Sequence, residues 1–190
     1  MVLTTDKNIL ELLEKTESIK KGHFQLSSGF HSDMYFQCAR LLQYPEIAQK
    51  TAEALAKMID FDVDTVLGPA LGGVIIGHEV ARALNKKSIF TERKDGIMTL
   101  RRGFDINNGE RVIIVEDVIT TAKSALETAK VIESLGGIIA GYACIVDRSE
   151  GKTGIDIKSL VQISPNIYSQ DNCPLCKNGT NAEKPGSRPN

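Results

Sequence analysis

The sequence predicts an α/β protein: an open, mostly parallel twisted sheet flanked by helices. Three observations carry this. Val112-Ile113-Ile114-Val115 is an unbroken β-branched run, the mark of a strand buried on both faces. It is followed by an amphipathic segment with Leu126, Ala129, Ile132 and Leu135 at three-residue steps. Val63 to Leu67, then Gly68-Pro69-Ala70-Leu71-Gly72-Gly73 and a helix to Leu84, repeats the plan of strand, small-residue loop and helix. Ile138 to Val146 is a further hydrophobic strand directly after a helix. Strands that alternate with helices fold as βαβ units around a parallel sheet.

Thr5 to Ile19 opens the chain as a helix, with Ile9, Leu10, Leu12 and Leu13 on one side and Glu and Lys on the other. Gly22 to Phe36 is rich in turn formers and aromatics. It reads as short strands or a covering loop, or equally as a hairpin packing Phe24, Leu26, Tyr35 and Phe36 into the core. Pro45 to Ile59 is a second amphipathic helix with its proline in the first turn. Ser88 to Thr91 is a strand. Glu92 to Gly103 then gathers Arg93, Lys94, Arg101 and Arg102 among glycines without periodicity. That is a solvated, mobile loop, or a lid that closes cations over a leaving anion. Asn107-Asn108-Gly109 is a turn into the central strand, and Ile155 to Ile163 alternates as the last strand.

The bulk properties bound the function. A chain of 190 residues suggests one domain, 1–163, with a tail over 164–190. A net charge of -1 and a pI near 6.3 argue against a nucleic-acid partner. No apolar run approaches the ~20 residues needed to span a bilayer, so no membrane partner is expected. The first residues carry acids at helical spacing rather than the basic start and apolar core of a signal peptide. The cysteines are scattered apart from Cys173 and Cys176, and a reduced, cytoplasmic protein is the expectation. Cys173-Pro174-Leu175-Cys176-Lys177-Asn178-Gly179 looks like half a zinc knuckle. No second Cys or His pair lies nearby in sequence, so a complete site needs another chain or distant ligands, and bound zinc is not expected. After Gly179 the composition is that of a frayed end.

The chemistry concentrates after the central strand. Glu116 and Asp117 stand where that strand would end, followed by Val118, Ile119 and the stretch Thr120-Thr121-Ala122-Lys123-Ser124. Ser124 and Glu127 have capping-box spacing, and Gly136-Gly137 ends the helix. Free N–H groups and the helix dipole at such a loop suit a phosphate monoester, and the hydroxyls of Thr120, Thr121 and Ser124 add donors. The paired carboxylates suit the vicinal diol of a ribose. A sugar 5-phosphate satisfies both; an ordinary βα unit with solvated acids is the plainer alternative. The Gly68–Gly73 loop offers N–H groups to a second anion, or is only a tight βα turn. Arg148, after the Ile138–Val146 strand, sits on the side of an open sheet where ligands bind. Its fork suits a carboxylate, or a surface ion pair with Asp147 or Glu150.

Val112 to Ala125 resembles the phosphoribosyl diphosphate (PRPP) signature of type I phosphoribosyltransferases. The resemblance implies that Glu116 and Asp117 hold the ribose hydroxyls and Thr120 to Ser124 the 5-phosphate. Ala70, Leu71 and Gly72 would face the diphosphate, and Arg93 and Lys94 would serve as the mobile basic loop. The chain up to about Ile163 resembles the orotate-using branch of that family. Phe24 to Gln37 matches its small N-terminal hood (mainly residues 20–42) at Ser28-Gly29, Ser32 and Tyr35-Phe36. This implies Tyr35 and Phe36 flanking the base, with Thr120 and Arg148 on the pyrimidine and its carboxylate. It further implies catalysis by Asp117, Arg93 and Lys94, a Mg²⁺ ion with no assigned protein ligand, and a homodimer acting on PRPP and orotate in UMP biosynthesis. Three departures stand: Lys123 where the family usually has Gly or another small residue, Ser27 where a lysine is common, and no His between His78 and the end. A related enzyme for another base, and a PRPP-binding regulator on the same fold, are the rival readings.

Overall fold

The computed structural model describes residues 2–26 and 28–185, with side chains from residue 6 onward. Ser27, one of the departures above, lies outside the described residues. In chain order the elements are β1 (Val2–Thr5), α1 (Lys7–Lys15), β2 (Ile19–Gln25), β3 (His31–Phe36), α2 (Ala39–Leu42), α3 (Pro45–Ala56), β4 (Thr65–Pro69) and α4 (Gly72–Leu84). They continue with β5 (Lys87–Lys94), β6 (Ile97–Leu100), β7 (Arg111–Ile119), α5 (Lys123–Ser134), β8 (Ile138–Asp147), β9 (Ile157–Ile163), β10 (Ile167–Tyr168) and α6 (Pro174–Lys177).

The main sheet has the order β1-β9-β8-β7-β4-β5-β6. The five strands from β9 to β5 are parallel, and β1 and β6 close the two edges antiparallel. The central strand shows why an unbroken apolar run was required. Ile113 and Val115 join one buried cluster, with Leu13, Leu55, Ile76 and Val80 from α1, α3 and α4. Val112 and Ile114 face the other, with Ala125, Ala129 and Ile132 from α5. Side chains alternate across a strand, so a strand with helices on both faces must be apolar at every position. A second, antiparallel sheet of order β10-β3-β2 forms the hood.

Several sequence expectations shift. The first helix covers Lys7–Lys15 rather than Thr5 to Ile19. Asp6 caps it by accepting from Asn8 N at 2.9 Å and Ile9 N at 3.3 Å. Glu17, at φ 54°, then turns the chain into β2. Gly22 to Phe36 is a hairpin, and of its four aromatic or aliphatic candidates only Phe24 is fully buried. The basic segment is no irregular loop: β5 runs on through Arg93 and Lys94 and turns back as β6. Asp95 and Gly96 both take positive φ (52° and 82°), the signature of a two-residue type I′ hairpin turn. That Asp-Gly pair was the signal that reading by periodicity passed over.

The strand after β8 is not the last. β10 pairs with β3, Ile167 opposite Ser32 and Tyr168 opposite His31. Past Gly179 the chain is bound rather than frayed: Gln25 N donates to Glu183 O and Glu183 N to His23 O, both at 2.8 Å. Residues 186–190 of the expected frayed end lie outside the described residues. The tail also brings Cys173 and Cys176 to His23 and His31, a pair distant in sequence of the kind a complete site needs.

Ile114 is wholly buried between the sheet and α5. Ile114→Ala should destabilise the protein by about 2–5 kcal/mol, read from urea unfolding.

Candidate active site

The strand order reverses between β4 and β7: β5 follows on one side, β8 and β9 on the other. In an open α/β sheet, ligands bind beyond the C-terminal strand ends at such a switch point. The loops that leave β4 and β7 there are the two small-residue loops read from the sequence.

Backbone packing holds these loops together. A Cβ at Gly73 would come within 2.6 Å of Val115 O, and one at Gly68 within 2.2 Å of Gly73 O. A Cβ at Gly72 would lie 2.3 Å from Asp117 Oδ1. The loop therefore lies directly against the end of β7, and Gly is required because backbone and carboxylate occupy the side-chain space. Ala70 N donates to Thr91 O at 2.7 Å, tying the same loop to β5. The Ala70–Leu71 peptide is cis, and Leu71 and Gly72 face solvent.

β7 does not stop before its carboxylates. It pairs with β8 as far as Ile119 opposite Asp147, so Glu116 and Asp117 are strand residues held on a rigid backbone. Asp117 Oδ1 accepts from Val118 N at 2.9 Å. Burial pushes the Glu116 carboxyl up to about 8, and the charge of Asp117 adds to the rise. Burial likewise raises Asp117, opposed by hydrogen bonds from backbone N–H groups to its carboxylate. Two half-buried acids with upward shifts, toward the C-terminal end of β7, make this a candidate ligand site.

Thr120, Thr121 and Ala122 form the connection, and α5 begins at Lys123. Ser124 is thus inside the first turn and not its cap, which overturns the capping box. Ala122 occupies the N-cap position with left-handed φ 56° and no side-chain bond. Glu127 pairs instead with Arg93. The first N–H groups of α5 have no carbonyl partner in a preceding turn, and the exposed hydroxyls of Thr120 and Thr121 stand beside them. Lys123 is exposed at the same helix start.

Arg148 directly follows β8, and its N–H donates to Ile119 O at 2.8 Å, which fixes it beside the β7 loop. Its guanidinium lies 4.3 Å from the centroid of the Phe36 ring. The buried Nε has no hydrogen-bond partner among the described residues, and Glu150 pairs with Lys152, so the surface ion pair does not form. Tyr35 and Phe36 are neighbours on β3 and point to opposite faces. The structure brings Phe36 to Arg148, while the Tyr35 ring packs against Phe24 with centroids 5.7 Å apart. On the β5–β6 hairpin, Arg93 donates to Gly96 O at 2.8 Å besides its pairing with Glu127. Lys94 is exposed, with no side-chain partner among the described residues. Cys38 was not singled out from the sequence; it is fully buried at the end of the hood, its Sγ 3.9 Å from Asp117 O.

Residues 37–174 match the model of the phosphoribosyl transferase domain, and the chain belongs to that family. Its similar relatives include two orotate phosphoribosyltransferases, from Caldanaerobacter subterraneus and Desulforamulus reducens. Each is 48% identical over 185 residues, covering 96% of this chain and 97% of the relative. Among solved structures, orotate phosphoribosyltransferase from Aeropyrum pernix superposes with a TM-score of 0.69 at 25% identity. That match covers 82% of this chain and 93% of the other.

The raised acids give a pH dependence. In the folded protein Glu116 holds its proton to about pH 8, against the ordinary 4.5 of the unfolded chain. The folded state therefore binds the extra proton in that window, and stability falls as pH rises through it. Glu116→Gln should flatten the fall, with the variant gaining on the order of 1–3 kcal/mol on wild type between about pH 5 and pH 9. Urea unfolding without ligand at both pH values measures it.

Proposed function

We propose that this chain is an orotate phosphoribosyltransferase that transfers ribose 5-phosphate from PRPP to N1 of orotate, releasing diphosphate and forming orotidine 5′-monophosphate. One observation carries the choice of base: a guanidinium stacked on Phe36 with a buried, unpartnered Nε at the switch point. A buried donor without a partner is destabilising, and a carboxylate on a flat ring is the ligand that relieves it. Orotate is such a molecule. The near-full-length relatives that carry the same name support the reading.

In this reading Glu116 and Asp117 accept hydrogen bonds from the ribose hydroxyls. Burial opposes the charged form of both carboxyls in the empty site, and hydrogen bonds donated by the ligand hydroxyls would favour it. The N–H groups of Thr120 to Ser124, with the helix dipole of α5, hold the 5-phosphate. Val118 and Ile119 contribute the backbone of the same motif, and Ala70, Leu71 and Gly72 face the diphosphate. Carbon 1 of the ribose gains cationic character as the C–O bond to diphosphate breaks and the bond to N1 forms. Side chains then have little proton transfer to perform. The rate comes from alignment of the two substrates and from cations against the leaving group. Lys94 is free for that role, whereas Arg93 must first leave Glu127. Thr120 and Arg148, adjacent through the Arg148–Ile119 bond, hold the pyrimidine, with Phe36 on one face of the ring. Tyr35 supports the hood that carries Phe36.

Mg²⁺ belongs to this chemistry, and the residues present suit it. Among the described residues no three His, Cys, Asp or Glu gather at the switch point. Glu116 and Asp117 offer hard oxygen atoms, and an ion that keeps several waters and takes the remainder of its shell from substrate oxygens requires no more. When bound, it supplies charge neutralisation on the diphosphate oxygens. The reading includes a cytoplasmic homodimer; no described helix is long and apolar enough to cross a membrane.

The test is a spectrophotometric assay with PRPP, Mg²⁺ and orotate, with and without EDTA. Orotate loss that requires both PRPP and metal is expected; loss with adenine or uracil but not orotate would overturn the reading. Arg148→Ala should raise KM for orotate on the order of a hundredfold while KM for PRPP changes little. Lys94→Ala should lower kcat about 10–100-fold with PRPP affinity nearly kept.

A further inference from the structure

We propose that His23, His31, Cys173 and Cys176 form a tetrahedral zinc site that staples the C-terminal tail to the hood. The four residues come from three segments. His23 lies on β2, His31 on β3, and the cysteines flank the start of α6. One ligand atom from each falls within 4.8 Å of all the others. The individual separations are 2.8 Å for His23 Nε2 to His31 Nδ1, 3.5 Å for Cys173 Sγ to His23 Nε2, and 3.3 Å for Cys176 Sγ to His31 Nδ1. Cys176 Sγ is 3.7 Å from His23 Nε2. Zinc held at its usual bond lengths by two thiolates and two imidazoles has ligand–ligand edges of about 3.3–3.8 Å; the three sulfur–nitrogen separations fall in that range, and the imidazoles would part by about half an ångström to admit the ion.

The surroundings favour a metal over a hydrogen-bonded core. His23 Nδ1 lies 3.0 Å from both Thr180 O and Thr180 Oγ1. The N–H therefore belongs on Nδ1, donating to the carbonyl, and Nε2 is left as a lone pair aimed at the other three ligands. This is the outer-shell contact that orients a metal-binding histidine. Thr180 is itself fixed by donating from Oγ1 to Leu175 O at 2.7 Å. Cys173 is fully buried, His23 and His31 nearly so, and both cysteines are unpaired by disulfide. Two thiolates and two neutral imidazoles balance the charge of one divalent ion. Sulfur with nitrogen in tetrahedral geometry selects zinc over magnesium or calcium. Four protein ligands leave no open position, so the site is structural and not catalytic.

The position gives it a purpose. Among the described residues the tail meets the hood through β10, the Asn166–Asp33 hydrogen bonds, the Glu183 contacts and this cluster. The β3 strand that supplies His31 ends at Phe36. Closing the cluster fixes the hairpin and the tail as one unit without reaching into the switch point.

The test is metal analysis of the full-length protein purified without added chelator. One zinc per chain is expected, falling below about a tenth in Cys176→Ser and in His31→Gln, and staying at one in Cys144→Ala, whose thiol lies in the main core. Should a variant fold poorly, cobalt(II) substitution of the wild type decides. Tetrahedral d–d bands with thiolate-to-cobalt charge transfer support the site. A pale octahedral spectrum, a wild type that is metal-free and takes up no zinc, zinc unchanged in both ligand variants, or a Cys173–Cys176 disulfide in the native protein would each overturn it.

Discussion

The Gly68–Gly73 loop can lie against the end of β7 because residues 68, 72 and 73 have no side chain. Gly73 would otherwise meet Val115 O, and Gly72 the carboxylate of Asp117. Everything at the switch point depends on this approach. It places one loop of backbone N–H groups beside two carboxylates that the sheet holds rigidly, with a helix N-terminus just beyond. β8 adds Arg148 on the adjoining strand, joined by its bond to Ile119. A substrate with a phosphate at one end, a diphosphate at the other and a diol between them matches the order of these groups.

The acids show how burial becomes function. Glu116 is raised mainly by desolvation and Asp117 in the same way, so burial opposes the charged form of both acids. In the proposed function, hydroxyl donors and a bound cation offset that cost. The same logic covers Arg148, whose Nε is buried without a partner. Both features are unfavourable to the folded protein alone and favourable to the complex, a common arrangement at binding sites.

Much of this was legible in the sequence where the signal was local. The β-branched run of β7, the two small-residue loops and the arginine after β8 occupy the positions their patterns implied, while the acid pair lies inside β7, which runs on to Ile119. What was missed depended on contacts between distant segments or on turn chemistry. The basic segment lacks periodicity and so reads as a loop, although Asp95-Gly96 encodes a hairpin turn. Ser124 and Glu127 have capping-box spacing, yet α5 starts one residue earlier and Glu127 is drawn to Arg93. Tyr35 and Phe36 looked equivalent, but alternation on β3 sends them to different faces. The hardest case was the cysteine pair. Its companion His23 lies 150 residues away from Cys173, and the return of the tail along β3 and β2 brings them together.

The measurement that bears most directly on the central claim is calorimetric binding of PRPP with Mg²⁺ to the wild type and to Asp117→Asn. The variant keeps the shape of the carboxylate that packs on Gly72 but loses its full capacity to accept hydroxyl hydrogen bonds. The account predicts tight binding by the wild type and on the order of ten- to a hundredfold weaker binding by the variant, with the fold intact by circular dichroism. Equal affinities in the two proteins would contradict it and place the ribose elsewhere.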